Sequence, residues 1–259
     1  MQSGLATVDS APANEFVSLD GESYICIRDV DKLSPFLMSI VSDSDHWLFV
    51  GSNSPFTAGR VDADHALFPY QTVDKLLRHA GTSGVLTILR VKRDDQWLLW
   101  EPWLDGHDYR IRRHLYKHIY GTAVIFEEVN EDLGLSLRWS LTTCEPYGFV
   151  RECRLENLRN EPAEVRYLDG WHQLLPPGVS QDTFAQYSYL AEAYMRHERL
   201  PDSELALYTL NAGIYDRAEP RESLRAACAG RYRAHGRLLS WWEIHPGNSG
   251  EFPFPPLVA

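Results

Sequence analysis

Apolar and polar residues alternate with a period of two along most of this chain, the signature of β-strands with one buried face. The clearest stretch is Leu133, Leu135, Leu137, Trp139 and Leu141, interleaved with Gly134, Ser136, Arg138 and Ser140. The turn Glu145-Pro146-Tyr147-Gly148 then leads into Phe149 to Leu158, which predicts a hairpin. Arg159-Asn160-Glu161-Pro162 makes the next turn, after which Val165, Tyr167 and Trp171 continue the odd-position pattern. Ser23 to Arg28, His46 to Val50, and Val85 to Val91 after the Gly81–Gly84 turn are rich in aromatic and β-branched residues and read as further strands. Tyr109, Ile111, Leu115 and Ile119 alternate with Arg110, Arg112, His114 and His118, a strand with one apolar and one charged face. Leu205 to Leu210 and Leu238 to Ile244 return to the same pattern. The period lengthens once. Phe184, Tyr187, Leu190, Ala191, Tyr194 and Met195 recur near 3.6 and predict a helix from about Gln181 to His197, with Ser180 as N-cap. At least eight strands with short turns and one helical segment argue for a large antiparallel sandwich rather than a βαβ fold.

Residues 1–15 are small and polar and read as a flexible tail, residues 16–250 as the sandwich, and residues 251–259 as a Pro-rich linker toward a downstream domain. Twenty-five Lys+Arg against 36 Asp+Glu give a net charge of −11, which disfavours nucleic acid or an anionic membrane as partner. No stretch approaches the ~18 consecutive apolar residues of a spanning helix. The first 16 residues have neither the basic nor the apolar region of a signal peptide, so the expected compartment is the cytoplasm. Cys26, Cys144, Cys153 and Cys228 form no CxxC pair and read as reduced thiols; the predicted hairpin sets Cys144 and Cys153 out of register.

No nucleophile elbow, phosphate-binding loop or zinc-binding helix motif occurs in the sequence. His114 and His118 are about 13 Å apart along a strand, too far to share one ion, and read as exposed strand polarity. Asp43, Asp45, Asp62 and Asp64 lack the spacing of a calcium loop and read as solvated turn carboxylates. Neither a metal site nor a cofactor is expected. The eight tryptophans carry more information. Trp97, Trp100 and Trp103 crowd one segment, and Trp171 stands in Asp169-Gly170-Trp171-His172-Gln173. An indole face stacks on the C–H face of a pyranose while neighbouring polar groups satisfy its hydroxyls. Trp47 and Trp139 read as core; Trp103 and Trp171 read equally as core or as a sugar platform.

Several stretches are similar to the N-terminal domain of the cellobiose and chitobiose phosphorylases. They are Ser34 to Ile40 with Asp43 to Arg60, Arg112 to Leu115 with Tyr120 to Ile125, the Leu133–Leu141 strand, Phe149 to Val165, and Tyr167 to His172. Together they span roughly residues 20 to 175, and they are strand patterns rather than catalytic signatures. The resemblance implies a mainly β, galactose-mutarotase-like antiparallel supersandwich. It implies a homodimer and a downstream (α/α)6 barrel that holds the catalytic groups, so no catalytic residue is carried over and the chain alone is expected to be inactive. The expected ligand is a β-linked glucan or disaccharide, with Trp171, His172, Asp169 and Trp103 as candidate contacts. Gln186 joins them, because a segment after the family's sandwich reaches toward a neighbouring active site. Two alternatives stay open: an aldose mutarotase, for which His172 and Glu145 could serve as acid and base, and an interaction module without sugar affinity.

Overall fold

The computed structural model describes residues 14–78, 84–145, 148–175 and 179–199, and the strand residues 205–210, 224–229, 231–234, 237–240 and 257–258. The chain opens with the hairpin β1 (Glu15–Leu19) and β2 (Glu22–Ile27), then β3 (Leu37–Ile40), β4 (His46–Gly51), β5 (Phe56–Arg60) and β6 (Ala66–Phe68). A single helical turn, α1 (Val73–Leu76), precedes β7 (Gly84–Arg93) and β8 (Gln96–Trp100). Next come β9 (Ile111–His118), β10 (Ala123–Asn130), β11 (Leu135–Cys144), β12 (Gly148–Asn157) and β13 (Glu164–His172). The helix α2 (Gln181–Tyr194) leads to β14 (Met195–Arg199), β15 (Leu205–Leu210), β16 (Leu224–Ala229), β17 (Arg231–Ala234), β18 (Arg237–Ser240) and β19 (Leu257–Val258).

The architecture is mainly β and antiparallel, as the alternation predicts. A six-stranded sheet runs β1-β2-β9-β10-β11-β12, and two four-stranded sheets run β19-β13-β7-β8 and β3-β4-β5-β6. One continuous core joins all three: Leu115, Phe126, Leu137 and Trp139 from the large sheet, Leu89, Trp100 and Val165 from the second, Leu48, Val50 and Phe56 from the third. Burying these faces against one another is the dominant stabilising contribution to the sandwich. Its centre is a stack of Phe126 on Trp139, ring centroids 4.1 Å apart and 13° from parallel, formed because the two residues face each other across β10 and β11.

Helix α2 starts where predicted. Ser180 Oγ accepts the Thr183 N–H at 3.1 Å, the N-cap bond that Ser180 was expected to make. It ends three residues before His197 because Met195 begins β14, and Tyr187 interrupts it with non-helical backbone (φ −125°, ψ 20°). Two expectations are corrected. His114 and His118 are buried rather than exposed, because β2 pairs alongside β9 and brings Tyr24, Glu22 and Asp29 against them. Tyr24 packs edge-on against His118, Thr122 Oγ1 lies 2.8 Å from its Nδ1, and His114 Nδ1 accepts the Asp29 N–H. Trp47 is not core: on β4 it alternates with the buried Leu48 and Val50 and so points to the opposite face. Cys144 and Cys153 pair with Gly148 and Trp139 and are free thiols, as is Cys26. Of the Leu238–Ile244 segment, residues up to Ser240 lie on β18 and the rest fall outside the described residues.

Candidate functional site

Two carboxylates enter the core side of the sandwich, and each is neutralised there. Asp169 on β13 is 4 % exposed. Arg151 on β12 donates to both its oxygens, at 2.6 and 2.8 Å, and Thr87 on β7 donates at 2.6 Å. The cluster ties the large sheet to the β13-β7 pair, and burial raises the Cys153 thiol beside it well above the usual range. Glu128 on β10 is 1 % exposed and accepts three donors: Trp100 Nε1 at 2.6 Å, the Trp103 backbone N–H at 2.7 Å and Arg113 Nε at 2.8 Å. Burial opposes the charge on Arg113, but Glu128 outweighs it and raises the guanidinium pKa. Carboxylates filled in this way are structural ties with little left to offer a substrate.

The sequence-predicted residues fall into this frame as follows. Trp103 is 5 % exposed, edge-on to Phe126 at 4.9 Å, with backbone in the left-handed region (φ 66°) held by the Glu128 bond. Trp171 is half-buried and packed against Phe56 and Phe68, with centroids at 5.8 and 5.3 Å, while the Arg151 guanidinium sits 6.0 Å from its ring. Its ring is thus occupied by core neighbours. Asp169 and Trp171 share one side of β13, and Arg151 touches both. The backbone of His172 pairs with Gly84 at the end of β13; its side chain lies outside the described residues. Gln186 is exposed on α2. A cleft between Ser54, Thr87, Trp103, Leu104 and Trp139 opens beside the Asp169 cluster and has space for about one water molecule, far short of a pyranose.

A wider surface lies on the outer face of the β3-β4-β5-β6 sheet. Trp47 and Phe49, two residues apart on β4, share this face, and Tyr70 stands edge-on to Trp47 at 5.8 Å and is 38 % exposed. Gly59, opposite Trp47 on β5, makes the arrangement possible: a Cβ there would come 2.5 Å from Trp47 Cζ2 and 2.6 Å from the His65 carbonyl oxygen. Trp47 Nε1 donates to the Asp62 carbonyl at 3.0 Å, which fixes the ring from one edge. Polar groups line the rim. Arg60 donates to Asp45 through two nitrogens at 2.9 and 2.7 Å, His65 Nδ1 lies 2.6 Å from Asp62, and Asp64 accepts the Gln181 N–H. The carboxyls of Asp45 and Asp62 are held below the usual range by Arg60 and His65 respectively. The acidic residues Asp45, Asp62 and Asp64 are therefore partnered by protein groups. Among the described residues no cluster of His, Cys, Asp and Glu is placed to hold a metal ion.

Sequence reasoning missed this surface because His46 to Val50 is apolar at four of five positions, which conceals the side on which Trp47 lies. The available signal was Gly59 in a strand interior, where glycine commonly marks a close approach. No known protein family matches the chain, and no curated protein matches it as a relative. No helix among the described residues is long and apolar enough to cross a membrane.

Proposed function

We propose that the chain is a non-catalytic β-sandwich domain of a carbohydrate-active enzyme, contributing sugar contact and domain or subunit packing. The observation that carries this reading is the part-exposed Trp47–Phe49–Tyr70 face with its rim of carboxylate, guanidinium and imidazole. Flat aromatic rings take the C–H face of a pyranose, and charged rim groups accept or donate to its hydroxyls. The resemblance of the strand pattern to the phosphorylase sandwich supports the same class and a β-linked glucan as ligand. The buried carboxylates support a scaffold rather than a catalyst, because Asp169 is spent on Arg151 and Thr87, and Glu128 on Trp100 of the second sheet and Arg113 of its own. Sugar contact moves from Trp171 to Trp47 in this reading, since the Trp171 ring is enclosed by Phe56, Phe68 and Arg151.

Stacking and a few hydroxyl contacts on an open face correspond to a dissociation constant on the order of millimolar. Titration of cello-oligosaccharides into the chain, followed by tryptophan fluorescence and heteronuclear NMR, tests it. Trp47→Ala should abolish binding with an unchanged circular dichroism spectrum, whereas Trp171→Ala should mainly lower the melting temperature. Binding that survives Trp47→Ala, or no glucan binding by the native chain at tens of millimolar, overturns the proposal.

A further inference from the structure

The six-stranded sheet ends on β12, and this edge differs from the others. The edge strands β1, β8 and β6 have five, five and three residues; β12 has ten. Its register with β11 is continuous over all ten pairs, with no bulge. Between Gly148 and Asn157 it contains no proline and no lysine, the residues that usually blunt an edge. Among the described residues no strand pairs with its free side.

Its outward row is Val150, Glu152, Arg154 and Glu156, of which the last three are exposed. Across β11 these charges meet no opposite partner: Glu152 faces Ser140, Glu156 faces Ser136, and Arg154 faces Arg138, which is itself committed to Glu127 at 2.7 Å. A same-sign row would repel a second copy, but this row alternates. Two β12 strands meeting antiparallel, with Cys153 on the two-fold axis, pair all of Phe149 to Asn157. Each Glu152 then lies opposite the second copy's Arg154, and each Arg154 opposite its Glu152. A shift of one position on the axis sets Glu152 against Glu152 or Arg154 against Arg154. A half-step would bring the outward charges onto the core face. Centring on Leu155 also opposes Arg154 to Glu156 but pairs only Cys153 to Asn157. Of the registers that oppose unlike charges, the one centred on Cys153 has the longer overlap.

We propose that β12 is a homodimerisation edge, at which two copies of the chain join their six-stranded sheets into one continuous sheet across a two-fold axis. This names the surface for the packing half of the proposed function and rests on that half, independently of sugar contact. Because Glu152 and Arg154 are exposed, their reversal leaves the fold intact, and two substitutions give a discriminating test. Glu152→Arg places Arg opposite Arg twice, and Arg154→Glu places Glu opposite Glu twice. Each single variant should weaken self-association about 30-fold in analytical ultracentrifugation, since two attractive cross-strand pairs become repulsive. Mixed in equal amounts, the two variants should recover native affinity as a heterodimer, because every pair is again opposite in sign. Backbone amides of β12 should gain hydrogen-exchange protection as concentration rises. A native chain that stays monomeric up to sub-millimolar concentration overturns the proposal, as does a dimer that neither variant weakens or that mixing fails to restore. Loss of glucan binding with an intact dimer would instead count against the aromatic face alone.

Discussion

Replacing Glu128 by Gln keeps the shape of a buried side chain and removes its charge. The native carboxylate accepts Trp100 Nε1 on one oxygen, and the Trp103 N–H and Arg113 Nε on the other. An amide has one oxygen, and its best orientation puts that oxygen where Oε2 stood, keeping the Trp103 and Arg113 donors. Its NH2 then faces the Trp100 N–H across a native separation of 2.6 Å, donor against donor. Arg113 keeps Asp105 and the Leu104 carbonyl, both at 2.9 Å, but loses the one fully buried counter-charge it has. Removing one partner of a buried pair costs about 3–5 kcal/mol, and a buried donor without an acceptor costs about 1–3. Since these overlap, the expected loss is about 4 kcal/mol, or roughly 10 °C in melting temperature for a chain of this size. Urea unfolding and calorimetry measure it directly. In Glu128→Gln/Trp100→Phe the conflicting N–H is gone, so a double-mutant cycle should return a coupling of about 1–2 kcal/mol. A loss below about 1 kcal/mol for Glu128→Gln would refute the tie between the sheets.

The neighbouring ties make further predictions. Asp169→Asn should cost about 3 kcal/mol in urea unfolding, because Arg151 stays buried with half its carboxylate partner replaced. Gly59→Ala should displace the Trp47 ring, shifting its fluorescence and abolishing glucan binding; an unchanged spectrum would show that the ring does not rest on β5. Burial lowers the pKa of both His46 and His114 from the ordinary 6.5, and Arg60 lowers that of His46 further. The unfolded chain therefore binds more protons just below that value, so stability falls as pH drops through about 6.5. Melting temperatures between about pH 7.5 and 5.5 should decline, and less steeply in His114→Gln, which has no imidazole that must stay neutral to accept the Asp29 N–H; an identical slope would refute the assignment.

Where alternation is strict the strand and its face were legible: Leu135 to Leu141 on β11 needs nothing beyond its own sequence to be placed. Elsewhere the pattern is ambiguous for identifiable reasons. The Trp97–Trp100 segment reads as an aromatic cluster, yet of its two tryptophans only Trp100 turns into the core, fixed by Glu128 on β10. The burial of His114 and His118 depends on a hairpin some ninety positions away in sequence, as the Glu22 and Asp29 contacts illustrate. The aromatic face depends likewise on Gly59 meeting Trp47, a pairing set by β4–β5 register rather than by either segment. Local periodicity encodes the layers, and long-range pairing encodes which side chains are spent inside them.

β10 carries this further. Its inward residues are Val124, Phe126, Glu128 and Asn130, and its outward ones Ala123, Ile125, Glu127 and Val129, so greasiness hardly distinguishes its two sides. Alignment of this central strand is instead set by charge. Glu128 must find Arg113 on one side while Glu127 finds Arg138 and the Tyr116 hydroxyl on the other. Neutralising both carboxylates would then leave a chain that still forms strands but no longer knows which of two nearly equivalent alignments to take. That pair of adjacent glutamates thus serves the uniqueness of the native state as well as its stability, alongside the Phe126–Trp139 stack.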